Sequence, residues 1–306
     1  MRTPFSQITI TPKRLIRSIY SQTSSSSFIP KPLNLYSQSP LIRSHPQSRN
    51  TSFASALDIT NEEQNGSLND ALKPDDFLFW PNFFTNEECK VLTEMALWKL
   101  DRIDTSLKRR RKGRFTPKLD DEAENTDEIQ KLFDREYGFE EGHYDSVIHQ
   151  YRETLLSSLP PSPSSSLTSS LIKLYSLLPD LPIDNLKQEE IPPKGTITHL
   201  LHLSPKGEIL PHVDNLQASG KFICGVSLGS ERTLRLQSKD KDKKEGWDVR
   251  LGNGSVYLQR DSIRYNYEHS ILPYDSEGSV WDGEQLKPGH RISIMIRDTP
   301  KRPAEL

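Results

Sequence analysis

The spacing of apolar residues divides this chain into a helical first part and a strand-rich second part. Thr85 suits the position before a helix, and apolar residues then recur every three or four positions from Cys89 to Leu100, which predicts a helix. The same spacing predicts helices over 144–156 and 171–178. From Thr196 onward, β-branched and aromatic runs alternate with turn-forming residues, which indicates an antiparallel sandwich or jelly roll.

Seven of these runs are predicted to be strands, and Asn253-Gly254 is a strong hairpin signal between two of them. Helices that precede an antiparallel sheet define an α+β fold class. We expect a helical part at 58–186 with a flexible Ser/Pro connector at 157–170, a β domain at 187–300 and a tail at 301–306. The predicted strands are 196–203, 221–228, 232–238, 246–251, 255–259, 263–268 and 291–297.

Residues 1–57 differ from the rest of the chain in charge and composition. They hold seven basic residues and no acidic one, are rich in Ser, and interleave basic with apolar residues over 13–20. An acid-poor, Arg- and Ser-rich start of this kind is typical of an organelle transit peptide. We expect a disordered mitochondrial transit peptide cleaved before Asp58, with a disordered basic tail as the alternative.

Composition narrows the possible function classes. After residue 57 the chain has 33 basic against 42 acidic residues, so it is not a general polyanion binder. The basic run 108–114 is a local exception, which we interpret as a solvated loop or, alternatively, a polyanion contact. Two cysteines, Cys89 and Cys224, exclude a disulfide scaffold and a Cys-rich zinc site. The sequence holds no apolar run long enough for a transmembrane helix.

Two His-x-Asp pairs offer candidate metal ligands. His143 and Asp145 lie at a predicted helix, where residues two apart point in different directions. His212 and Asp214 lie at a predicted strand end, where residues two apart share a face and can reach one ion. His269, at the end of an aromatic strand, is the best third ligand. Two His and one carboxylate form the facial triad of non-haem Fe(II) oxygenases, although zinc hydrolases use a similar set.

The last predicted strand carries two arginines on one face. Its Ile residues alternate with Arg291, Ser293 and Arg297, so the two kinds of side chain point to opposite sides. Buried arginines are costly unless an anion pairs with them, and a dicarboxylate such as 2-oxoglutarate would do so. The alternative is an edge strand whose arginines face solvent and meet Asp282 or Glu284. Together with the triad, the cosubstrate interpretation is favoured.

Five segments stand out as a set because of their order and spacing: Pro211-His-Val-Asp214, Gly225-Val-Ser-Leu228, Gly254-Ser-Val-Tyr257, Arg264-Tyr-Asn-Tyr-Glu-His-Ser-Ile271 and Arg291-Ile-Ser-Ile-Met-Ile-Arg297. They resemble the AlkB family of Fe(II)/2-oxoglutarate dioxygenases, over about residues 75–300. The mitochondrial branch of that family shares the Pro-His-Val-Asp start and the Arg-Ile-Ser ending. The upstream residues Tyr144-Asp145, Ile148 and Arg152-Glu153 also resemble that branch.

The resemblance implies a double-stranded β-helix (jelly-roll) dioxygenase core with supporting N-terminal helices. It implies that His212, Asp214 and His269 bind Fe(II), with O₂ as the second substrate. It further implies that Arg291 pairs with the distal carboxylate of 2-oxoglutarate and that Arg297 supports the cosubstrate near the metal.

The resemblance also places Tyr257 and Ser293 in the cosubstrate pocket. Members that repair nucleic acids usually carry an Asn and a Tyr where this chain has Leu201 and Leu203, before the first metal-binding His. Two polar contacts to the cosubstrate are therefore missing, and Tyr257 replaces them in part. This departure weakens the case for base demethylation.

Three functions are compatible with these features. The favoured one is a monomeric oxidoreductase that hydroxylates a protein substrate. The resemblance adds a location in the mitochondrial matrix and a branch-level link to cell-death control and fatty-acid metabolism, but it gives no substrate. The first alternative is a demethylase of N-methylated bases in mitochondrial RNA, which only the basic run 108–114 favours. The second alternative is a weakly catalytic member that acts by binding a partner.

Overall fold

The computed structural model describes residues 29–44, 72–110, 115–116, 128–143, 145–179, 181, 186–240, 242–243 and 245–300. Within these ranges the helices are α1 (Asn86–Arg110), α2 (Ser165–Tyr175) and α3 (Asp261–Asn266). The strands are β1 (Ile42–Ser44), β2 (Phe77–Trp80), β3 (Phe115–Thr116), β4 (Tyr137–Gly138), β5 (Glu140–Gly142), β6 (Ile148–Leu155), β7 (Thr196–His212), β8 (Phe222–Gly229), β9 (Arg232–Ser238), β10 (Gly246–Leu251), β11 (Ser255–Arg260), β12 (Tyr267–Ile271), β13 (Val280–Trp281), β14 (Glu284–Gln285) and β15 (Arg291–Asp298).

One curled antiparallel sheet forms the body of the protein. Its strands follow the spatial order β1–β10–β9–β12–β7–β15–β8–β11–β2, and β6 and β5 extend it from β7. The long strand β7 serves both halves of the curl, because its first residues pair with β15 and its last residues pair with β12. This arrangement confirms the predicted α+β class with a jelly-roll core.

Apolar and polar side chains alternate along the last strand, β15, so one face of this strand belongs to an outer hydrophobic layer and the other faces the inside of the curl. The three isoleucines of β15 pack outward in a layer with Leu92 of α1 and Leu171 of α2. A second core fills the inside of the curl, where Leu236 of β9 and Val249 of β10 pack with Phe77 of β2. The two helices therefore support the sheet from behind, and the polar face of β15 is turned inward.

The first predicted helix is confirmed, and its start has a clear cause. The Thr85 hydroxyl accepts a hydrogen bond from the Glu88 backbone N–H, and the Glu88 carboxylate accepts one from the Thr85 N–H. The second helix, α2, begins earlier than predicted because Ser164 caps it through the Leu167 N–H. The expected flexible connector at 157–170 is therefore wrong over its last residues, which are helical.

The predicted helix at 144–156 is wrong, because these residues contain the strand β6 between β5 and β7. A β-bulge between His149 and Tyr151 shifts the register, and Gln150 has a φ of 51°. The bulge breaks the two-residue alternation of an ordinary strand and produces apolar spacing that resembles a helix. Together with β2, this strand also shows that the 58–186 part is not purely helical.

The predicted strand at 263–268 is half wrong. Residues 261–266 form the short helix α3, and the strand β12 begins only at Tyr267. Ile263 is buried in the inner core, and Arg264 turns inward to hydrogen-bond the Asp214 carbonyl. These tertiary contacts override the strand propensity of the segment.

The expected disordered leader at 1–57 is wrong for residues 29–44, which belong to the fold; residues 1–28 and 45–57 lie outside the described residues. Leu33 exchanges two backbone hydrogen bonds with Phe79, and β1 pairs with β10. Arg43 pairs with Asp248 and lies over the Trp281 ring. The local composition of 29–44 did not reveal this because each of these partners lies far away in sequence.

No helix in the described part of the chain combines the length and the hydropathy that crossing a bilayer requires.

Candidate active site

One cavity of about 430 Å³ opens into the curl between β6, β7, β11, β12 and β15. It collects residues that are far apart in sequence, because the inward faces of neighbouring strands converge there. Every site residue singled out in the sequence lines it: His212, Asp214, Tyr257, His269, Arg291, Ser293 and Arg297.

His212, Asp214 and His269 form a compact group of three ligand atoms. His212 lies directly opposite His269 in the β7–β12 pair, and Asp214 follows just beyond the end of β7. Asp214 Oδ1 is 3.2 Å from His212 Nε2 and 3.6 Å from His269 Nε2. All three atoms lie within 4.8 Å of one another, which is close enough for one ion to contact them together.

The surroundings of this group favour the protonation states that bind a cation. His212 Nδ1 lies 2.9 Å from the Leu210 carbonyl oxygen, so Nδ1 carries the proton and Nε2 presents its lone pair to the centre of the group. Burial lowers the pKa of His269 to about 3, so this imidazole is neutral at physiological pH. A neutral imidazole and a deprotonated carboxylate are the forms that bind metal.

Arg297 holds the carboxylate of Asp214. Its Nε donates to Asp214 Oδ2, and Oδ1 remains directed at the two histidines. Burial alone would raise the pKa of Asp214, but the close contact with His212, the hydrogen bond from Arg297 and the nearby charges hold it well below its usual range. The contact that the structure shows for Arg297 is therefore with a candidate metal ligand.

Arg291 is the strongest sign of an anion-binding site. Its side chain is only 1% exposed, and its Nε donates to Ser227 Oγ at 2.9 Å. Its Nη2 is buried and has no hydrogen-bond partner among the described residues. Burial lowers the pKa of Arg291 to about 10, which leaves it cationic at physiological pH. A buried cation with an unused donor, in the lining of a cavity, fits a carboxylate.

The alternative of a solvent-facing edge strand is excluded. Strand β15 lies between β7 and β8 inside the sheet. Asp282 pairs with Arg250, and Glu284 lies in the separate β13–β14 hairpin.

Tyr257 lies beside Arg291 at the same end of the cavity. The Tyr257 ring stacks on Phe77 at 6.1 Å and covers Gly225 of the neighbouring strand. Burial raises the pKa of Tyr257 to about 12, against the opposing effect of Arg291, so its hydroxyl stays protonated and can donate. Ser293 donates to the Val226 carbonyl at 3.2 Å and borders the same space.

Gly225 is required by the close approach of the Tyr257 ring. A Cβ at this position would overlap the ring, so Gly225→Ala is expected to displace Tyr257 and weaken 2-oxoglutarate binding about tenfold. Titration calorimetry of the metal-loaded protein measures this change. Gly252→Ala is the matched control, since its Cβ would meet its nearest neighbour at an ordinary 3.5 Å. Equal affinities in the two variants would contradict the prediction.

Sequence reasoning missed several residues of the cavity. The interpretation of His143 and Asp145 as part of a helix separated them, whereas in the structure His143 Nδ1 and Asp145 Oδ1 are 2.7 Å apart at the cavity wall. Glu153 and His199 line the same wall. The pairing of distant strands brings these side chains together, and no local pattern signals it.

A buried polar network joins α1 to the start of β15. Arg152 donates through Nε to His202 Nδ1 and pairs through Nη1 with Asp101, each at 2.9 Å. His202 Nε2 is 3.1 Å from His290 Nδ1, so the proton on His202 Nε2 points to His290. Burial lowers the pKa of His290 to about 4 and holds that of His202 well below its usual value, so both rings are neutral. The network fixes the backbone immediately before Arg291.

Comparison with known proteins gives a consistent result. The family model described as "2OG-Fe(II) oxygenase superfamily" matches residues 115–297. Two curated relatives, from Mus musculus and Bos taurus, are named "Alpha-ketoglutarate-dependent dioxygenase alkB homolog 7, mitochondrial". The mouse protein is 32% identical over 164 residues and the bovine protein 31% identical over 163 residues. Each match covers 53% of this chain and 66% of the relative, just under two thirds of its length.

A solved prolyl-4-hydroxylase from Pseudomonas putida is similar in outline. The similarity covers 74% of this chain and 92% of that chain, with a TM-score of 0.39 and 12% sequence identity.

Proposed function

The chain belongs to the 2OG-Fe(II) oxygenase superfamily, and on that premise we propose that it is an Fe(II)- and 2-oxoglutarate-dependent dioxygenase. The proposal rests on the residues that line one cavity. A two-His, one-carboxylate group and a buried arginine with an unused donor line the same 430 Å³ space. This combination supplies the ligands for a divalent cation and the counter-charge for a dicarboxylate.

The residues fit both groups. Fe(II) would be held by His212, Asp214 and His269, whose ligand atoms lie close together in the cavity lining. The distal carboxylate of 2-oxoglutarate would be held by Arg291, because its buried Nη2 has no partner among the described residues. When bound, Fe(II) and 2-oxoglutarate supply the oxidising chemistry that uses O₂ to hydroxylate a substrate C–H bond, with succinate and CO₂ as by-products.

The protein's own side chains position the reactants and exclude water. Arg291 fixes the far end of the cosubstrate, and the protonated Tyr257 hydroxyl and Ser293 border the same end. Arg297 keeps the Asp214 carboxylate in the orientation that faces both histidines. The apolar residues of the inner core close the cavity floor and keep bulk water from the cosubstrate.

The substrate that we propose is a protein. The relatives' names place them in mitochondria, and we extend this location, and specifically the matrix, to the present chain. We also propose that this modification affects cell death and fatty-acid metabolism. RNA demethylation is the second candidate, and the basic run 108–114 that favours it lies outside the described side chains.

Anaerobic absorption of the full chain with Fe(II), titrated with 2-oxoglutarate, tests the proposal. A charge-transfer band in the wild type that is lost in His212→Ala and weakened in Arg291→Ala is the expected result, since one variant removes a metal ligand and the other the cosubstrate anchor. The absence of the band in folded wild-type protein would overturn the proposal. It would favour the alternative of a partner-binding protein with weak catalysis.

The mature protein from mitochondria is expected to retain residues 29–44. Cleavage after residue 44 would remove Leu35 and Ile42 from the inner core, at a cost of roughly 1.5–3 kcal/mol for each buried side chain. It would also remove Arg43 from Asp248. Mass spectrometry of the N-terminal peptide of the imported protein measures the cleavage position. A mature N-terminus between residues 45 and 58 would refute the prediction.

A further inference from the structure

The cavity wall formed by β6 and the turn before it is acidic, and nothing in the proposed reaction uses it. Glu153 of β6, with Asp145 and His143 of the preceding turn, lines the cavity beside the metal-binding group. His143 Nδ1 is 2.7 Å from Asp145, and its Nε2 is 3.6 Å from Glu153 Oε1. The other Glu153 oxygen is 4.0 Å from His199 Nδ1. Two carboxylates therefore present acceptor atoms to the space where a substrate must enter.

The charges of the loaded cavity would leave one negative charge over. The lining holds three carboxylates and two arginines. Arg297 donates a hydrogen bond to Asp214, and Arg291 would bind the cosubstrate. Fe(II) and the 2-oxoglutarate dianion would cancel each other, so the two arginines offset only two of the three carboxylates and the described lining would keep one net negative charge. Burial raises the pKa of Glu153 against the opposing charges of His143 and Arg297, and a further positive group beside it would offset the remaining cost.

The surroundings of the wall favour a peptide over a polynucleotide. Glu140 of the adjacent strand β5 adds negative charge near Glu153, and such a surface repels phosphates. Leu216, which is 51% exposed, lies next to Asn215 of the cavity lining. An exposed apolar side chain next to the cavity lining suits a protein segment, whereas nucleic-acid interfaces are positively charged.

From this arrangement we infer that the cavity takes the cationic side chain, lysine or arginine, of a protein segment, and that Glu153 and Asp145 hold its positive end. The inference rests on the proposed dioxygenase function and adds the class of substrate. Glu153 is its main specificity-determining residue, because its carboxylate is half-buried and lies beside the metal-binding group. The positive end would be held at the wall, and a carbon of the same side chain would then face the metal-binding group.

Degenerate peptide pools test the inference, because they sample many sequences around one fixed residue. Each fluorescent nonapeptide pool carries random neutral residues around a fixed central Lys, Arg, Gln or Glu. Binding to the full chain, loaded anaerobically with Fe(II) and 2-oxoglutarate, is measured by anisotropy. The Lys or Arg pool is expected to bind at least about fivefold more tightly than the Gln pool and more tightly still than the Glu pool. The preference is expected to shrink at high salt.

Variants identify the residue responsible. Glu153→Gln is expected to remove the preference, and the matched control Glu284→Gln, on the exposed β13–β14 hairpin, is expected to keep it. Asp145→Asn, at a more exposed position, replaces Glu153→Gln if that variant does not fold. Equal binding of all pools, or an unchanged preference in both cavity variants, would overturn the inference.

The charge-transfer band of the same samples separates the two possible failures. Equal binding with the band present would reject the cationic substrate and leave the dioxygenase standing. A missing band in the wild type would reject both proposals. Tighter binding of a 12-nucleotide RNA than of any peptide pool would overturn the inference in favour of the RNA alternative.

Discussion

Replacement of Asp214 by alanine is expected to abolish the charge-transfer band and to lower 2-oxoglutarate turnover by more than about 100-fold. Loss of residues that only support metal ligands costs about 10–100-fold in other metal sites, and Asp214 is itself a candidate ligand. The substitution also removes the hydrogen-bond acceptor of Arg297. The uncompensated Arg297 cation would then repel a bound metal ion.

Two measurements check this result. Metal content after gel filtration should fall with the band, and the melting temperature should show that the variant is folded. Asp275→Ala, an exposed acid outside the cavity lining, is expected to behave as the wild type. A folded Asp214→Ala protein that keeps metal and band would show that another residue provides the carboxylate.

Replacement of Arg152 by methionine is expected to lower the free energy of unfolding by about 3–5 kcal/mol. Arg152 is only 3% exposed and binds both Asp101 and His202, and its guanidinium lies 4.2 Å from the Tyr137 ring centre. Methionine fills a similar volume but donates no hydrogen bond. The ring nitrogen of His202 and one oxygen of Asp101 would lose their donors in the interior.

Urea unfolding measures the loss, and the chain offers a matched control. Arg135 pairs with the same Asp101 at 3.0 Å, but its side chain is 64% exposed. Arg135→Met is therefore expected to cost less than about 1 kcal/mol. Similar unfolding midpoints for the two variants would show that the buried network contributes little. A lower affinity for 2-oxoglutarate in Arg152→Met alone would show that the network also positions Arg291.

Local patterns predicted the parts of the fold where each segment specifies its own structure. The jelly-roll strands after Thr196 alternate with turn residues, and Thr85 and Glu88 form the cap of α1 by themselves. The metal-binding group could also be anticipated, because His212 and Asp214 share a strand end. Arg291 was found through the two-residue period of β15, which held because β15 is a regular central strand.

The remaining features depend on contacts between distant segments. The bulge at Gln150 gave β6 the apolar spacing of a helix. The resulting prediction of a helix hid the cavity position of Glu153. Arg152 and Asp101 are 51 residues apart, so the pairing of the buried Arg152 with Asp101 could not be predicted. The acidic wall required the pairing of β5, β6 and β7, which no single segment encodes.

The short strand β1 has a further consequence for the solubility of the protein. It covers β10, whose Trp247, Val249 and Leu251 are buried, and it occupies the end of the sheet. A chain that began at Asp58 would leave the backbone donors and acceptors of β10 open beside this apolar surface. Open edges of this kind pair with other chains. The segment 29–44 thus acts as a cap against aggregation, and its loss would appear as concentration-dependent association before any loss of catalysis.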